Sequence, residues 1–161
     1  MLQEYDIKSY PANNIGNKMR REGRSSCLFG RTLDLIGDRW SLLLIRDMLF
    51  DDKHTYGEFQ ASAEGIATNI LAARLVALEE AEIITKEPLR KGRGRYYYSV
   101  THKGVDLVPV MIEMFLWASR YFEVSEKDKE HLAAINADKE GVINKLINKH
   151  RNGTGEAQTV C

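Results

Sequence analysis

Basic side chains are concentrated in one short stretch of an otherwise neutral chain. Residues 86–95 contain a single carboxylate, Glu87, and five cations: Lys86, Arg90, Lys91, Arg93 and Arg95. Lys and Arg bind phosphate oxygens, and Gly92 and Gly94 allow the backbone there to approach another molecule closely. The whole chain has 23 basic and 23 acidic residues. An anionic partner must therefore be attracted by this local patch and not by net charge.

A second group of candidate binding residues lies on a predicted helix that runs from Ala67 or Thr68 to about residue 80. Leu71, Leu75 and Leu78 recur at helical spacing and are expected to face the core. The outer face and its flank then carry small or polar side chains: Thr68, Asn69, Ala72, Ala73, Val76 and Glu80. Asn can bond adenine bidentately, Thr can bond a base or a phosphate, and Ala can pack on thymine methyl groups. The helix alone is equally compatible with an ordinary core helix whose outer face has no role.

The elements around this helix predict how it is positioned. Thr55 and Glu58 have the spacing of a capping box, which predicts a short helix over about residues 56–62. After the second helix, strands are predicted over 83–86 and 95–100, with the basic loop between them. Helix, turn, helix and hairpin in this order predict an α+β, mainly α fold, a winged helix-turn-helix with a two-stranded wing. In such folds the N-terminal residues of the second helix contact bases in the major groove.

Two further helices are predicted before this unit. Apolar residues at helical spacing predict the first over residues 28–36, and Gly37 ends it. Asp38 is expected to cap the second, over 39–50.

One long helix is predicted after the hairpin. Thr101 caps it, it runs to about residue 122, and Pro109 bends it. Another helix is predicted over 138–150, and disorder over 152–161. The predicted domains are an N-terminal arm, a DNA-binding and dimerisation domain, and a C-terminal helical extension with a flexible tail: 1–26, 27–123 and 124–161.

Several linked motifs extend from about Cys27 to Phe122. They are the run from Cys27 to Trp40, Leu43-Leu44-Ile45-Arg46-Asp47, Tyr56-Gly57-Glu58-Phe59, Gly65-Ile66, Leu71-x-x-Arg74-Leu75-x-x-Leu78-Glu79 and Tyr98-Ser-Val-Thr-x-Lys-Gly104. In this order they resemble the HxlR-type family of bacterial and archaeal transcription regulators, which are relatives of the MarR group. The resemblance implies a homodimer that binds pseudo-palindromic operators and dimerises through the N-terminal segment and the long helix.

The chain departs from the family pattern at three positions. Ala67 and Ala72 stand where similar proteins usually carry Ser or another polar residue, and Glu82 stands where Gly commonly ends the helix. Without a capping side chain at residue 67, the helix start is expected to move to Thr68. The helix and the wing together supply the predicted DNA-binding residues: Thr68, Asn69, Ala72, Ala73, Arg74, Arg90, Lys91, Arg93 and Arg95. Residues 96–98, all tyrosine, are interpreted as strand packing and not as base stacking.

Cys27 is a candidate redox sensor, because it falls where the resemblance places a thiol that senses oxidants or electrophiles in some relatives. Four arginines would favour its thiolate: Arg20, Arg21, Arg24 and Arg31. A packed hydrophobic role is the favoured alternative for a single Cys before an apolar helix. Cys161, the other cysteine, is either a resolving thiol or incidental.

Other function classes have weaker support. Five aromatic residues could line a small-molecule pocket near Trp40 and Trp117, although core packing is the preferred interpretation: Trp40, Phe59, Phe115, Trp117 and Tyr121. The four histidines lack metal-ligand spacing and no phosphate-binding glycine loop occurs, so neither an enzyme nor a cofactor is expected. A winged helix used only for protein contacts is disfavoured by the basic wing.

The apolar runs are too short for a membrane span and the first residues lack the build of a secretory signal, so a cytoplasmic location is expected.

Overall fold

The computed structural model describes residues 26–89 and 94–153, with only the backbone described for 152 and 153. Eight helices and two strands follow one another in these ranges: α1 Leu28–Ile36, α2 Arg39–Phe50, α3 Tyr56–Gln60, α4 Thr68–Glu80, β1 Ile84–Pro88, β2 Tyr96–Val100, α5 His102–Val105, α6 Val108–Ala118, α7 Glu126–Ala137 and α8 Lys139–Gly153. The strands pair antiparallel, from Ile84 opposite Val100 to Pro88 opposite Tyr96. The predicted α+β, mainly α winged helix-turn-helix fold is confirmed.

The helix ends follow the local signals that predicted them. Asp38 accepts hydrogen bonds from the backbone N–H groups of Trp40 and Ser41 at the start of α2, and Thr55 and Glu58 form the capping box of α3. Helix α4 begins at Thr68 as expected, and Ala67 occupies its N-cap position without a side-chain hydrogen bond.

Gly37 ends α1 because the chain passes very close to the previous turn. A Cβ atom at this position would lie 2.5 Å from the carbonyl oxygen of Leu33, where no side chain fits. The φ of Gly37, −73°, is accessible to any residue, so backbone conformation does not require glycine here. Glycine is required because there is no space for a side chain.

The core lies where the helix-turn-helix packs on α2 and the hairpin. Leu71, Leu75 and Leu78 are buried, as predicted, and α4 contacts both α2 and β1. Phe59 of α3 is fully buried and lies edge-on to the ring of Tyr98 in β2, with 6.0 Å between the ring centroids. Packing of the inner side of α4 on α2, α3 and β1 therefore fixes the direction in which its outer face points.

The prediction of a single long helix after the hairpin is wrong, because the chain forms α5 and α6 with a turn at residues 106 and 107. Pro109 has no N–H to donate to the carbonyl of Val105, and its ring would clash with that carbonyl in a continuous helix. The N–H of Leu107 instead donates to the carbonyl of Gly104, at 3.1 Å. Pro109 then lies in the first turn of α6, where a missing N–H has no cost.

The C-terminal region differs from the prediction as well. Ser125 caps α7 by accepting a bond from the N–H of Asp128, and this helix was not predicted. Helix α8 begins near the predicted residue 138 but extends to Gly153. Strand β1 is shifted to end at Pro88. Most of the predicted N-terminal arm, and the predicted disordered tail from residue 154 onward, lie outside the described residues.

Candidate nucleic-acid interface

The outer face of α4 presents the small and polar side chains that the helical spacing predicted. Thr68, Asn69, Ala72 and Ala73 are all exposed in the subunit. Val76, further along the same face, is 49% exposed. The major groove of DNA admits an α-helix, and Asn69 carries the only side-chain amide on this face.

The first turn of α4 is positioned by α3. The hydroxyl of Tyr56 donates a hydrogen bond to the carbonyl oxygen of Thr68 over 2.9 Å. This bond links the two helices at the end of α4 that would contact bases. Tyr56 is thus a positioning residue that the sequence patterns did not single out.

Arg74 lies on the side of α4 that faces the start of α2. Its Nη1 is 3.2 Å from Oδ2 of Asp38, the same carboxylate that caps α2. Burial raises the pKa of Asp38, but hydrogen bonds from Ser41 and the charge of Arg74 outweigh that effect and lower the pKa overall. Arg74 therefore helps to dock α4 on α2, and its predicted contact with DNA stays a prediction.

A buried carboxylate joins α2 to the turn between α3 and α4. The Asp47 side chain is only 3% exposed and accepts bonds from the Nζ of Lys53 at 2.9 Å, from Arg46 at 2.6 Å and from the hydroxyl of Ser62. Burial raises the pKa of Asp47, but the hydrogen bonds from Ser62, Arg46 and Lys53 together lower it by more. The pKa of Asp47 therefore lies below its usual value. The available sequence signal was an Asp between the apolar residues of a buried helix face.

A second carboxylate extends this network to the surface. Glu64 in the turn accepts from Arg46 at 2.9 Å and from Arg39 at 2.7 Å. Arg46 thus bonds both Asp47 and Glu64. The turn that sets the angle between α3 and α4 is fixed by charge-assisted hydrogen bonds as well as by packing.

The wing does not present all of its predicted cations outward. Lys86 lies 3.5 Å from Glu79 of α4, and its Nζ lies 4.6 Å from the ring centroid of Tyr96. Lys86 therefore ties the wing to α4. Arg95 is exposed, and its carbonyl accepts from the N–H of Leu89 over 2.9 Å to close the loop. The other predicted cations lie outside the described residues: Arg90, Lys91 and Arg93.

Of the three tyrosines of β2, only Tyr98 packs in the core as interpreted from the sequence, because Tyr96 and Tyr97 are 39% and 38% exposed. Tyr98 is buried, and Tyr97 stacks on His54 with 4.5 Å between ring centroids. Nδ1 of His54 lies 2.9 Å from the carbonyl of Tyr98, and since a carbonyl can only accept, this nitrogen carries the proton. The wing is thereby fastened to the segment before α3.

Two helices expose large apolar side chains that no other described residue covers. On α1, Leu28, Phe29 and Leu33 are 64–81% exposed. On α6 and just after it, the exposed apolar side chains are Val110, Met114, Trp117, Tyr121 and Phe122. An open hollow of about 610 Å³ lies along α6 between Pro109 and Ala118. Exposed apolar faces of this kind mark interaction surfaces.

Cys27 lies immediately before α1 and is exposed. Among the described residues the favoured prediction of a packed hydrophobic thiol is therefore wrong, because α1 turns its N-terminal apolar residues outward. Arg20, Arg21 and Arg24, which were expected to favour the thiolate, lie outside the described residues. Arg31, one turn into α1, is exposed.

Among residues 26–89 and 94–153, Trp40 and Trp117 do not line a common pocket, contrary to the prediction. Trp40 and the buried Phe59 line a hollow of about 10 Å³, too small for anything larger than a water molecule. Trp117 lines the open hollow on α6 instead, and its ring contacts Tyr121. The two tryptophans belong to separate surfaces, and Phe59 serves the core.

Within residues 26–89 and 94–153, no group of three or more His, Cys, Asp or Glu side chains is arranged to hold a metal ion. Over the same ranges, no helix has the length and apolar character needed to cross a bilayer.

Comparison with known proteins gives consistent matches. A family model described as HxlR-like helix-turn-helix matches residues 35–126. The HTH-type transcriptional regulator Rv3095 of Mycobacterium tuberculosis strain H37Rv is 30% identical over 123 residues, which are 74% of this chain and 75% of the relative. The crystal structure of PA1607, a candidate transcription factor, has a TM-score of 0.57 and 38% identity over 65% of this chain and 72% of that chain. The redox regulator HypR in its oxidized form has a TM-score of 0.54 and 28% identity over 61% of this chain and 100% of that chain.

Proposed function

The chain belongs to the HxlR-like helix-turn-helix family of transcriptional regulators, and from that membership we propose that it binds a pseudo-palindromic DNA operator as a homodimer. Its relatives are transcriptional regulators, and this chain is one too and not an enzyme. The observation that carries the proposal is the exposed outer face of α4, which is held in place by Tyr56, Arg74 and the buried core. A regulator of this kind acts where the DNA is, which supports the cytoplasm as its compartment.

The proposed reading of DNA follows from the chemistry of α4. The helix enters the major groove with its N-terminal residues against base edges. Asn69 bonds adenine, Thr68 bonds a base or a phosphate, and Ala72 and Ala73 pack on thymine methyl groups. Direct readout is sparse on such a face, so DNA shape supplies part of the specificity.

The wing is proposed to bind the flanking backbone or the minor groove. Arg95 is exposed at the base of the loop, and Arg90, Lys91 and Arg93 precede it in the sequence. Each phosphate that these side chains neutralise is expected to add about 0.9 to the salt slope of binding. Lys86 is excluded from this set because it pairs with Glu79.

Dimerisation is supported by the two exposed apolar faces. Within the described part of the chain, these faces leave a large apolar surface exposed to water: Leu28, Phe29 and Leu33 on α1, and Met114 and Trp117 on α6. We propose that a second copy covers both faces. Two α4 helices then lie roughly 34 Å apart, which is one turn of DNA.

Asn69→Ala is expected to lower operator affinity by about 1–3 kcal/mol, with most of the loss at one base pair of each half-site, because a bidentate contact to adenine is removed. The measurement is a titration of the variant against the operator and against operators mutated at single positions. Asn136→Ala makes the same change on an exposed position of α7 and should bind as the wild type does. Equal losses on operator and random duplex would remove Asn69 from the base-contacting residues.

A second candidate function is redox sensing through Cys27. Its thiol is exposed beside the apolar face of α1, and the similar protein HypR is a redox regulator. Oxidation would join Cys27 and a second thiol in a disulfide, and the oxidant would take up two electrons and two protons. A bond at this position would move α1, and with it the proposed dimer interface.

Diamide is therefore expected to lower operator affinity of the wild type by about 5- to 150-fold, the usual range of coupling between two sites. Cys27→Ser should bind operator normally and be insensitive to diamide. Cys161→Ser, measured in parallel, shows whether Cys161 is the second thiol. An undiminished diamide response in Cys27→Ser would disprove the sensor role.

A further inference from the structure

The C-terminal helices α7 and α8 lie almost entirely outside the part of the chain that the family model matches, which ends at residue 126. The likeness to HypR likewise covers the whole of that chain with 61% of this one. The added helices are nevertheless an integral part of the subunit. Ile135 is buried, and four side chains of α8 pack against the core: Val142, Ile143, Leu146 and Ile147.

We call α2, α3, α4 and the hairpin the reading part of the subunit. Helix α8 contacts both this reading part and α6, the helix proposed for dimerisation. It packs on α2, on α5 and on α6. Between α5 and α6 the α-helical hydrogen bonding is interrupted at residues 106 and 107, which form a turn although their backbone angles stay in the helical region. A short interruption of this kind is where a change in helix direction is most easily absorbed.

Three polar contacts attach the extension to the end of α2. Nε2 of His150 donates to the carbonyl of Leu49 over 2.9 Å, and this carbonyl is in the last turn of α2. The Nζ of Lys149 lies 2.6 Å from a carboxylate oxygen of Asp52, and the Nζ of Lys127 lies 3.2 Å from Oδ1 of Asp51.

Two further contacts attach the extension to α6 and to the turn that precedes it. Lys139 lies 2.8 Å from Glu113 of α6. Arg151 lies 3.2 Å from Asp106, which is in the turn between α5 and α6. The extension thus bonds the reading part, the turn and α6 together.

We propose that α7 and α8 form a brace that fixes the angle between α6 and the reading part of the subunit, and that this brace makes the dimer selective for the spacing of the two half-sites. The inference rests on the proposed function, in which α6 joins the dimer and α4 contacts the bases. One inserted base pair moves a half-site by about 3.4 Å and turns it by about 34°. A rigid subunit cannot follow that movement, whereas a subunit free to bend at residues 106 and 107 can.

The test uses a triple variant, Lys127→Ala/Lys149→Ala/Arg151→Ala, because exposed ion pairs are individually weak. The charge-conserving variant Lys127→Arg/Lys149→Arg/Arg151→Lys is the rescue. Lys129→Ala is the matched control, because Lys129 pairs only within α7, with Glu126 among the ion pairs found. Thermal unfolding confirms that each variant is folded.

The first measurement is hydrogen exchange of the full-length protein without DNA. Amide protons at residues 106–108 are expected to exchange at least threefold faster in the triple variant, and at the wild-type rate in the other two. Unchanged exchange in the triple variant overturns the brace, whatever the protein does with DNA.

The second measurement uses duplexes that the wild-type protein selects from a random library, rebuilt with one or two base pairs added or removed between the half-sites. The wild type is expected to lose at least tenfold in affinity for each altered spacing, and the triple variant at most threefold. Affinity for an isolated half-site should be the same in both. A spacing profile shared by all variants overturns the proposal. If the wild type selects no duplex, the proposed function fails and the spacing role fails with it.

Discussion

Trp117→Glu is expected to convert the dimer into monomers and to reduce operator affinity by about 10²- to 10⁴-fold. The side chain is 57% exposed on α6 and lies beside Met114 and Tyr121 in the apolar face that a second copy would cover. A carboxylate there would be buried without a partner in the dimer, at a cost of several kcal/mol. Loss of the second reading helix removes the effective concentration that links the two half-sites.

Sedimentation equilibrium measures the change in mass, and a gel-shift titration measures the change in affinity. Ala133→Glu places the same charge on an exposed position of α7 and should leave both unchanged. The helical circular dichroism of Trp117→Glu should match the wild type, since no core contact is removed. A dimer of normal stability in this variant would contradict the assignment of α6 to the interface.

Asp47→Asn is expected to lower the free energy of unfolding by about 2–3 kcal/mol at pH 7, because the buried carboxylate accepts from two cations and a hydroxyl. The pKa of Asp47 is lowered in the folded protein, so its contribution is present above the unfolded pKa of about 4 and is lost as the pH falls through the folded value. The difference between wild type and variant should therefore be full at pH 6–7 and shrink below about pH 4.

Urea unfolding at a series of pH values measures this difference. Glu64→Gln is the control, because its side chain is 30% exposed and its two arginine contacts should contribute about 1 kcal/mol or less. A loss in Asp47→Asn that is the same at pH 3.5 and pH 7 would show that packing, and not charge, is responsible.

Much of the site could be predicted because its signals are local. The capping box of Thr55 and Glu58 and the cap at Asp38 each act within three residues, so they can be recognised without knowing the fold. The leucine stripe of α4 likewise determined which side chains of that helix face outward. Cap, stripe and glycine-containing hairpin in order were sufficient to predict the winged helix-turn-helix.

Some local signals were present but were outweighed by stronger patterns. The apolar spacing after Thr101 suggested one helix, while Pro109 in fact requires a break at residues 106 and 107. Ser125 followed by Asp128 was a usable start signal for α7. The high charge of that helix concealed it, because only Ile135 is buried there.

The amino-acid sequence by itself determined most of the helices, the hairpin and which face of α4 is free, since those preferences act over one or two turns. Only the tertiary structure decided that Lys86 pairs with Glu79, that Arg74 pairs with Asp38, and that Cys27 is exposed. Arg74 and Asp38 are 36 positions apart, and an ion pair at that separation leaves no periodic trace in the sequence. Whether a cation is available for DNA depends on which carboxylate the folded chain places beside it.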